Sequence, residues 1–529
     1  MEFLAMVCLV LVFVCIVLAS SRASDRYSWE REQKLLQDRI AALQEQIAFF
    51  TEISEDSKQI NESVDREQQE RLFAQIAEEL WDGKADSSVL DAEQKAALKL
   101  MLDTNRNLFI TGKAGTGKSF LVEVFKRVTA KKVLLLAPTG VAALHIGGAT
   151  LHSAFGYKNL VDIPLEELTL YSLQLTTEKK TVLQEANTLI IDEISMVRAD
   201  IFEKIDYILR LICRKDVPFG GKQMILLGDL FQLPPVANKT EIQYLNDAFG
   251  GVYFFHAPAY QEASFEFVEL TINHRQKDDR AFFDILNRIR DGKADAQDMA
   301  LLNTRTQFEQ GDLRRVIQLF PTKAEAERVN TEELRKIPAK PYVYFARTKK
   351  NDPRIGKINI ESAFPILECL ELKKGALVMM VANDNQNNFW VNGTLGIVSD
   401  LNEEYVRVSI DGDDYLVTPA LFEYKEAVYE DNKIQYRTQW ETTQYPLVPA
   451  YAITIHKSQG MTYPRVACDI RKCFAPGQAY VALSRCTTLD GLFLLSPVNE
   501  NLMLVDETVR AFYLSQTQKD PPTEDDLPF

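Results

Sequence analysis

The residues with the clearest chemistry lie between Asn107 and Leu121, in the run NLFITGKAGTGKSFL. An apolar stretch, Leu108-Phe109-Ile110, leads into Gly112, Lys113, Ala114, Gly115, Thr116, Gly117, Lys118 and Ser119, and an apolar segment suited to a helix follows. Glycines at this spacing let the backbone wrap so that its N–H groups meet phosphate oxygens. Lys118 then reaches the β- and γ-phosphates, and the Ser119 hydroxyl is placed to ligate Mg²⁺. The pattern implies a bound nucleoside triphosphate. A second acidic signal lies in TLIIDE, where the apolar run from Thr188 ends in Asp192 and Glu193. Asp192 can hold Mg²⁺ through water, and Glu193 can polarise the water that attacks the γ-phosphate. A third is QMILLGD from Gln223 to Asp229, followed by Leu230-Phe231-Gln232-Leu233-Pro234-Pro235, where Gln232 is placed to sense the γ-phosphate.

The elements that must carry these groups are buried parallel strands. Val133–Ala137 (VLLLA), like the runs before Asp192 and Asp229, is continuously apolar rather than alternating, as expected where both faces of a sheet are covered. It ends in Pro138-Thr139-Gly140, and the loops after such strands are where α/β sheets bind ligands. Leu90-Asp91-Ala92-Glu93-Gln94 opens a helix before the first strand, and by itself Gln94 is only a helix residue. Later, Val316–Phe320 reads as a further buried strand, and Val448–Ile455 leads into His456-Lys457-Ser458-Gln459-Gly460. His456 and Ser458 do not imply a nucleophilic triad, because no acid accompanies them.

Composition bounds the setting. The chain has 529 residues, 46% of them hydrophobic, which suffices for two to four domains. A net charge of −15 argues against a broadly basic nucleic-acid surface but leaves room for a local groove. The seven cysteines are odd in number, with no C-x-x-C pair, and read as reduced thiols. Phe3–Ala19 is an unbroken apolar run and Glu2 is the only charge in residues 1–21. With its flanks it reaches about 31 Å, against a bilayer core of about 30 Å. The expectation is a retained single-pass transmembrane anchor over residues 1–21, with a cleaved signal as the alternative; Arg22 and Arg26 place the body in the cytoplasm. Trp29, Leu36, Ile40, Leu43, Ile47 and Phe50 form one apolar seam within a 22–88 helical tether, either a coiled coil that lets two copies associate or a helix packing on its own protein.

Several stretches together resemble the PIF family of superfamily-1 DNA helicases: PTGVAALHIGGATLHSAFG from Pro138, IIDEISMV from Ile190, GDLFQLPPV from Gly228, HRQ from His274, ITIHKSQGMT from Ile453 and YVALSRCT from Tyr480. Asp200–Gly221 resembles the family's signature helix and loop, and its Ile201, Ile205, Ile208 and Ile212 fall on one helical face. The resemblance spans roughly Leu90 to Pro497. It implies an α/β architecture of two RecA-like motor domains: the first at 89–272, the second at 273–383 with 446–510, and a small β-barrel insertion at 384–445; beyond the resemblance, the polar, acidic composition of 511–529 reads as a disordered tail. The resemblance also implies ATP-driven 5′-to-3′ translocation on single-stranded DNA with unwinding at duplex junctions, with ATP and Mg²⁺ as cofactors. Gln94 would read adenine, and Arg275 and Arg485 would reach the γ-phosphate from the second domain. Pro138, Thr139, Gly140, Val141, Thr150, His152, Ser153, His456, Lys457, Ser458 and Gln459 would line the strand.

Overall fold

The apolar runs form one parallel sheet. The computed structural model describes residues 90–517 apart from 114, 275–278, 310–312, 314–315, 352–357, 385–388 and 431. Strands β1 (Leu108–Gly112), β2 (Val133–Ala137), β3 (Ala149–Thr150), β4 (Thr188–Ile191), β5 (Gln223–Gly228) and β6 (Glu266–Leu270) lie in the order β3-β2-β4-β5-β1-β6. Every neighbouring pair is parallel. The segments after β1, β2, β4 and β5 therefore emerge along one edge, which is how four stretches far apart in sequence come to share a site.

Helix α1 (Ala92–Asp103) begins at a capping box in which Asp91 accepts from the Gln94 N–H and the Gln94 side chain accepts from the Asp91 N–H. Helix α2 (Lys118–Val128) starts directly behind the glycine loop. In α3 (Ala199–Cys213) the isoleucine face is buried as its spacing predicts, and the Phe219 N–H donates to the Asp206 carboxylate, closing the turn that follows.

Helix α4 (Arg280–Arg290) opens the second α/β unit, whose sheet runs Ala452–Thr454, Ile317–Phe320, Val466–Cys468, Leu492–Leu494, again all parallel. Helix α5 (Gln478–Leu483) is buried throughout, and α6 (Glu507–Thr517) ends the described chain. Its Phe512 stacks on Phe255 at 4.1 Å and its Tyr513 meets Phe231 edge-on at 5.3 Å, so the chain returns to the first unit. Residues 511–517, expected within a disordered tail, are thus helical and packed; two aromatic side chains one after the other gave them something to bury.

The inserted β structure is wider than 384–445. Antiparallel strands begin at Pro341–Phe345 and continue to Leu447–Pro449, and the five-stranded part orders as Asp413–Val417, Val406–Ile410, Leu395–Leu401, Leu377–Met380, Leu447–Pro449. The early strands carry exposed alternate positions and lack the continuous apolar signature of the parallel strands, so they are faint in sequence. A long hairpin, Ala420–Glu430 with Lys433–Gln444, reaches across to the first unit. There the Leu135 N–H donates to Tyr436 Oη at 3.0 Å, and Lys132 Nζ donates to Tyr429 Oη at 2.6 Å.

The single-pass membrane placement expected from residues 1–21 is corrected. No helix among the described residues is long and apolar enough to cross a membrane. Residues 1–21 themselves, and the 22–88 tether with its proposed self-association, lie outside the described residues.

Candidate active site

Gly117 caps α2 in the left-handed region at φ 79°, and a side chain there would strike Gln94 Nε2 at 2.3 Å. Glycine is required twice over, by backbone conformation and by the approach of α1. Gln94 in turn donates from Nε2 to the Thr116 carbonyl at 3.0 Å, so the residue expected to read adenine is built into the floor of the phosphate loop. Lys118 Nζ donates to the Gly112 and Lys113 carbonyls at 2.6 and 3.1 Å, and burial lowers its pKa against the pull of Asp229, Glu193 and Asp192. Lys113 lies 5.7 Å above the Phe283 ring of α4, a cation–π contact between the two units. Ser119 is exposed at the first turn of α2, and Ala114 lies outside the described residues.

Across the loop, Asp192 is buried and accepts the Glu193 N–H at 2.9 Å; burial raises its pKa. Glu193 has φ 52°, a left-handed conformation that a non-glycine residue adopts at a cost of roughly 1 kcal/mol or more and that aims its carboxylate into the cleft. Burial and then the Asp192 charge push its pKa up to about 7. Its Oε2 accepts from Gln459 Nε2 at 2.9 Å, and the same nitrogen donates to Gln232 Oε1 at 3.2 Å. Gln459 belongs to the second unit, so a residue expected on the strand track also bridges two groups of the hydrolytic site.

Arg485 is 1% exposed and turned into the second unit. It donates to the carbonyls of Val481 (2.9 Å), Met461 (3.0 Å) and Ser458 (3.4 Å) and to Ser484 Oγ (2.9 Å), clamping the loop that carries Gln459. Its charge also bears on Glu193. Arg275 lies outside the described residues. The preceding His274 is fixed on the phosphate loop, its N–H to the Gly115 carbonyl at 2.9 Å and its ring to Asp91 at 2.8 Å.

The residues expected to line a strand divide. After β2, Thr139 caps the helix Gly140–Ile146 and Val141 is exposed; Pro138 precedes the cap. Thr150 caps Leu151–Phe155, while Ser153 Oγ donates to Glu426 of the long hairpin at 3.1 Å and is buried by it. His152 packs on Tyr157, and burial lowers its pKa, as it does for His456. Lys457 is exposed, whereas the Ser458 hydroxyl turns inward to the Ile455 carbonyl at 2.8 Å.

Residues 89–300 match the PIF1-like helicase family, and residues 358–401 match the 2B domain of DNA helicase Pif1. Over 431 residues the chain is 34% identical to the ATP-dependent DNA helicase Pif1 of Bdellovibrio bacteriovorus, covering 80% of this chain and 91% of that protein. The chain belongs to the PIF1-like helicase family. It is similar in structure to Bacteroides Pif1 in complex with ADP-AlF4, with 34% identity, a TM-score of 0.72 and coverage of 82% of this chain and 98% of that one. Against Bacteroides Pif1 bound to single-stranded DNA the TM-score is 0.59 at 34% identity, covering 81% and 97%. As a PIF1-like helicase the chain is an ATP-hydrolysing enzyme that uses ATP with Mg²⁺. The family match begins at residue 89, and the membrane localisation read from residues 1–21 is withdrawn.

The donor set fits Mg²⁺. Ser119 and Asp192 offer hard oxygen ligands, and a buried carboxylate whose pKa is raised by desolvation is one that gains from a cation. When bound there, the ion would neutralise charge on the transferred phosphoryl group.

Sequence reasoning passed over Asp229, Arg290 and Gly477. Arg290 at the end of α4 is 2% exposed, pairs with Asp229 at 3.2 Å, and lies 4.2 Å over Phe231 and 5.4 Å from Tyr513. Gly477, at φ 72°, brings the start of α5 so near that a side chain would lie 2.0 Å from the Gln232 carbonyl oxygen. The available signal was IRDG at 289–292, an arginine on an apolar helix face.

Proposed function

We propose that this PIF1-like helicase couples ATP hydrolysis to 5′-to-3′ translocation along single-stranded DNA and unwinds duplex at junctions. The observation that carries the reading is Gln459. It lies in the His456–Gly460 loop, matched to a strand-facing segment of the family, and its amide holds the carboxylate of Glu193 and the side-chain amide oxygen of Gln232. A strand that moves this loop moves the hydrolytic groups with it.

In this scheme Gly112, Lys113, Ala114, Gly115, Thr116, Gly117, Lys118 and Ser119 cradle the triphosphate, and Gln94 meets adenine. Gln232 senses the γ-phosphate. Glu193, with one carboxylate oxygen held by Gln459, takes the proton of the attacking water on the other. Arg275 and Arg485 stabilise charge on the γ-phosphate as the domains close, Arg485 after leaving its present carbonyl partners. Pro138, Thr139, Gly140, Val141, Thr150, His152 and Ser153 contact the strand from the first domain, with His456 and Lys457 from the second; the Ser458 hydroxyl shapes its loop. The structural similarities to Bacteroides Pif1, in complex with ADP-AlF4 and bound to single-stranded DNA, support both ligands.

The test is strand separation by the full-length protein on duplexes with a 5′ or a 3′ single-stranded tail. ATP-dependent opening of the 5′-tailed substrate alone is expected. Opening of the 3′-tailed substrate alone overturns the direction, and opening of neither overturns the reading.

A further inference from the structure

Asp229, second in the GDLFQLPPV stretch, and Arg290 are charged residues at the cleft to which the reading above gives no task. They sit on different domains, 61 residues apart, and both are essentially excluded from water. Arg290 Nη2 donates to Asp229 Oδ1 at 3.2 Å, while its guanidinium plane lies against Phe231, and Tyr513 of the returning helix α6 covers it. Among the described residues its buried Nε has no hydrogen-bond partner, although the Tyr513 hydroxyl lies against the same guanidinium. That orphan donor carries a desolvation cost that an apolar residue of similar volume would not, so packing alone does not explain an arginine here.

Asp229 passes the contact on. Besides Arg290 it faces the charges of Lys118 and Lys113. Its Oδ1 accepts the Phe231 N–H at 3.2 Å and its Oδ2 accepts Gln232 Nε2 at 3.3 Å. A carboxylate accepts and cannot donate, so it takes the NH₂ end of the Gln232 amide and leaves the oxygen end pointing outward. That oxygen accepts from Gln459 Nε2 at 3.2 Å, which fixes the Gln459 amide with its NH₂ end also on Glu193 Oε2 at 2.9 Å. Each amide is thereby given one orientation by the group before it.

We propose that Arg290 is a positioning residue for ATP hydrolysis: by holding Asp229 from the second domain, it sets the amide orientations of Gln232 and Gln459 and hence the placement of the Glu193 carboxylate. This rests on the reading of Glu193 as the base. The second domain grips the catalytic edge at two points, Gln459 on one side and Arg290 on the other.

Steady-state ATP hydrolysis with saturating single-stranded DNA tests this on the full-length protein. Arg290→Met, Asp229→Asn and Gln459→Ala should each lower kcat, referred to the folded fraction measured by circular dichroism, about 10-fold or more with KM for ATP within about threefold, as expected for a contact that acts on the chemical step rather than on ATP binding. The double variant Arg290→Met/Gln459→Ala should fall no more than about threefold below the weaker single variant, because both act on one chain of contacts. Unchanged kcat in folded Arg290→Met, or losses that multiply in the double variant, overturn the proposal. Should Arg290→Met fail to fold, Arg290→Lys keeps the charge beside Asp229 but loses the planar stack; a kcat about fivefold down supports the proposal, and one within about twofold of the parent overturns it. Glu193→Gln is measured alongside. Surviving hydrolysis there overturns both readings, whereas an inactive Glu193→Gln beside an unaffected Arg290→Met removes only the role given to Arg290.

Discussion

The nucleotide edge and the expected strand track run along the same side of the first sheet, yet they are held in different ways. At the nucleotide edge the contacts form one continuous chain, buried at Gln94, Asp229 and Arg290 and part-buried where Gln459 joins Glu193 to Gln232. Along the track the first-domain part, Thr150 to Ser153, is covered by the long hairpin through partly exposed contacts, the Lys179–Glu426 ion pair at 2.8 Å among them. Buried chains switch between few arrangements, while partly exposed pairs contribute roughly 0–1 kcal/mol each and part easily. The difference assigns rigidity to the chemistry and movement to the polymer.

The largest effect expected is at the loop itself. Lys118→Ala removes the only charge reaching into the phosphate cradle from α2, and hydrolysis should fall by on the order of 10³-fold or more, read as phosphate release. Surviving hydrolysis would show that the cradle is not where the γ-phosphate is cleaved. Next, Gln459→Ala should uncouple the regions: stimulation of hydrolysis by single-stranded DNA should drop about 10-fold, with DNA affinity within about threefold of the parent. An equal loss in affinity would place Gln459 on the track after all. Third, Glu426→Ala removes the partner of both Lys179 and Ser153. Hydrogen exchange in 420–444 should speed up, and single-stranded DNA should bind about three- to fivefold tighter, as expected for release of roughly 1 kcal/mol of cover. Unchanged affinity would mean the hairpin does not compete with the strand. The smallest effect is at a helix cap: Thr139→Ala should cost about 1 kcal/mol, seen as a lower Tm, while leaving hydrolysis without DNA near the parent rate.

The nucleotide edge was legible in sequence because its chemistry constrains neighbours in the chain. A loop whose N–H groups surround phosphate needs its glycines, lysine and serine within eight positions, and carboxylates at a strand end follow an apolar run directly. The α3 face was legible for the same reason, through the spacing of Ile201, Ile205, Ile208 and Ile212. Asp229 and Arg290 were not, because their pairing depends on how α4 docks across a cleft, and each by itself reads as a strand-end acid or a helix-end cation. The early strands of the insertion were lost among exposed residues such as Arg347–Lys350, none of which is buried, and the closing helix because its two aromatics pack on the domain most distant in sequence. At residues 1–21 hydropathy pointed to a membrane placement, and no helix among the described residues is long and apolar enough to cross a membrane.

Gly477 sets a limit on how the machine can be built. With only hydrogen at Cα, the start of α5 comes to rest on the carbonyls of Phe231 and Gln232, where an added methyl carbon would lie 2.4 and 2.0 Å away. A methyl group at that point acts as a shim. It would press on the backbone of Gln232, the γ-phosphate sensor, from a position whose φ of 72° already favours glycine, so the closeness at which the two halves meet is set by the absence of one carbon atom.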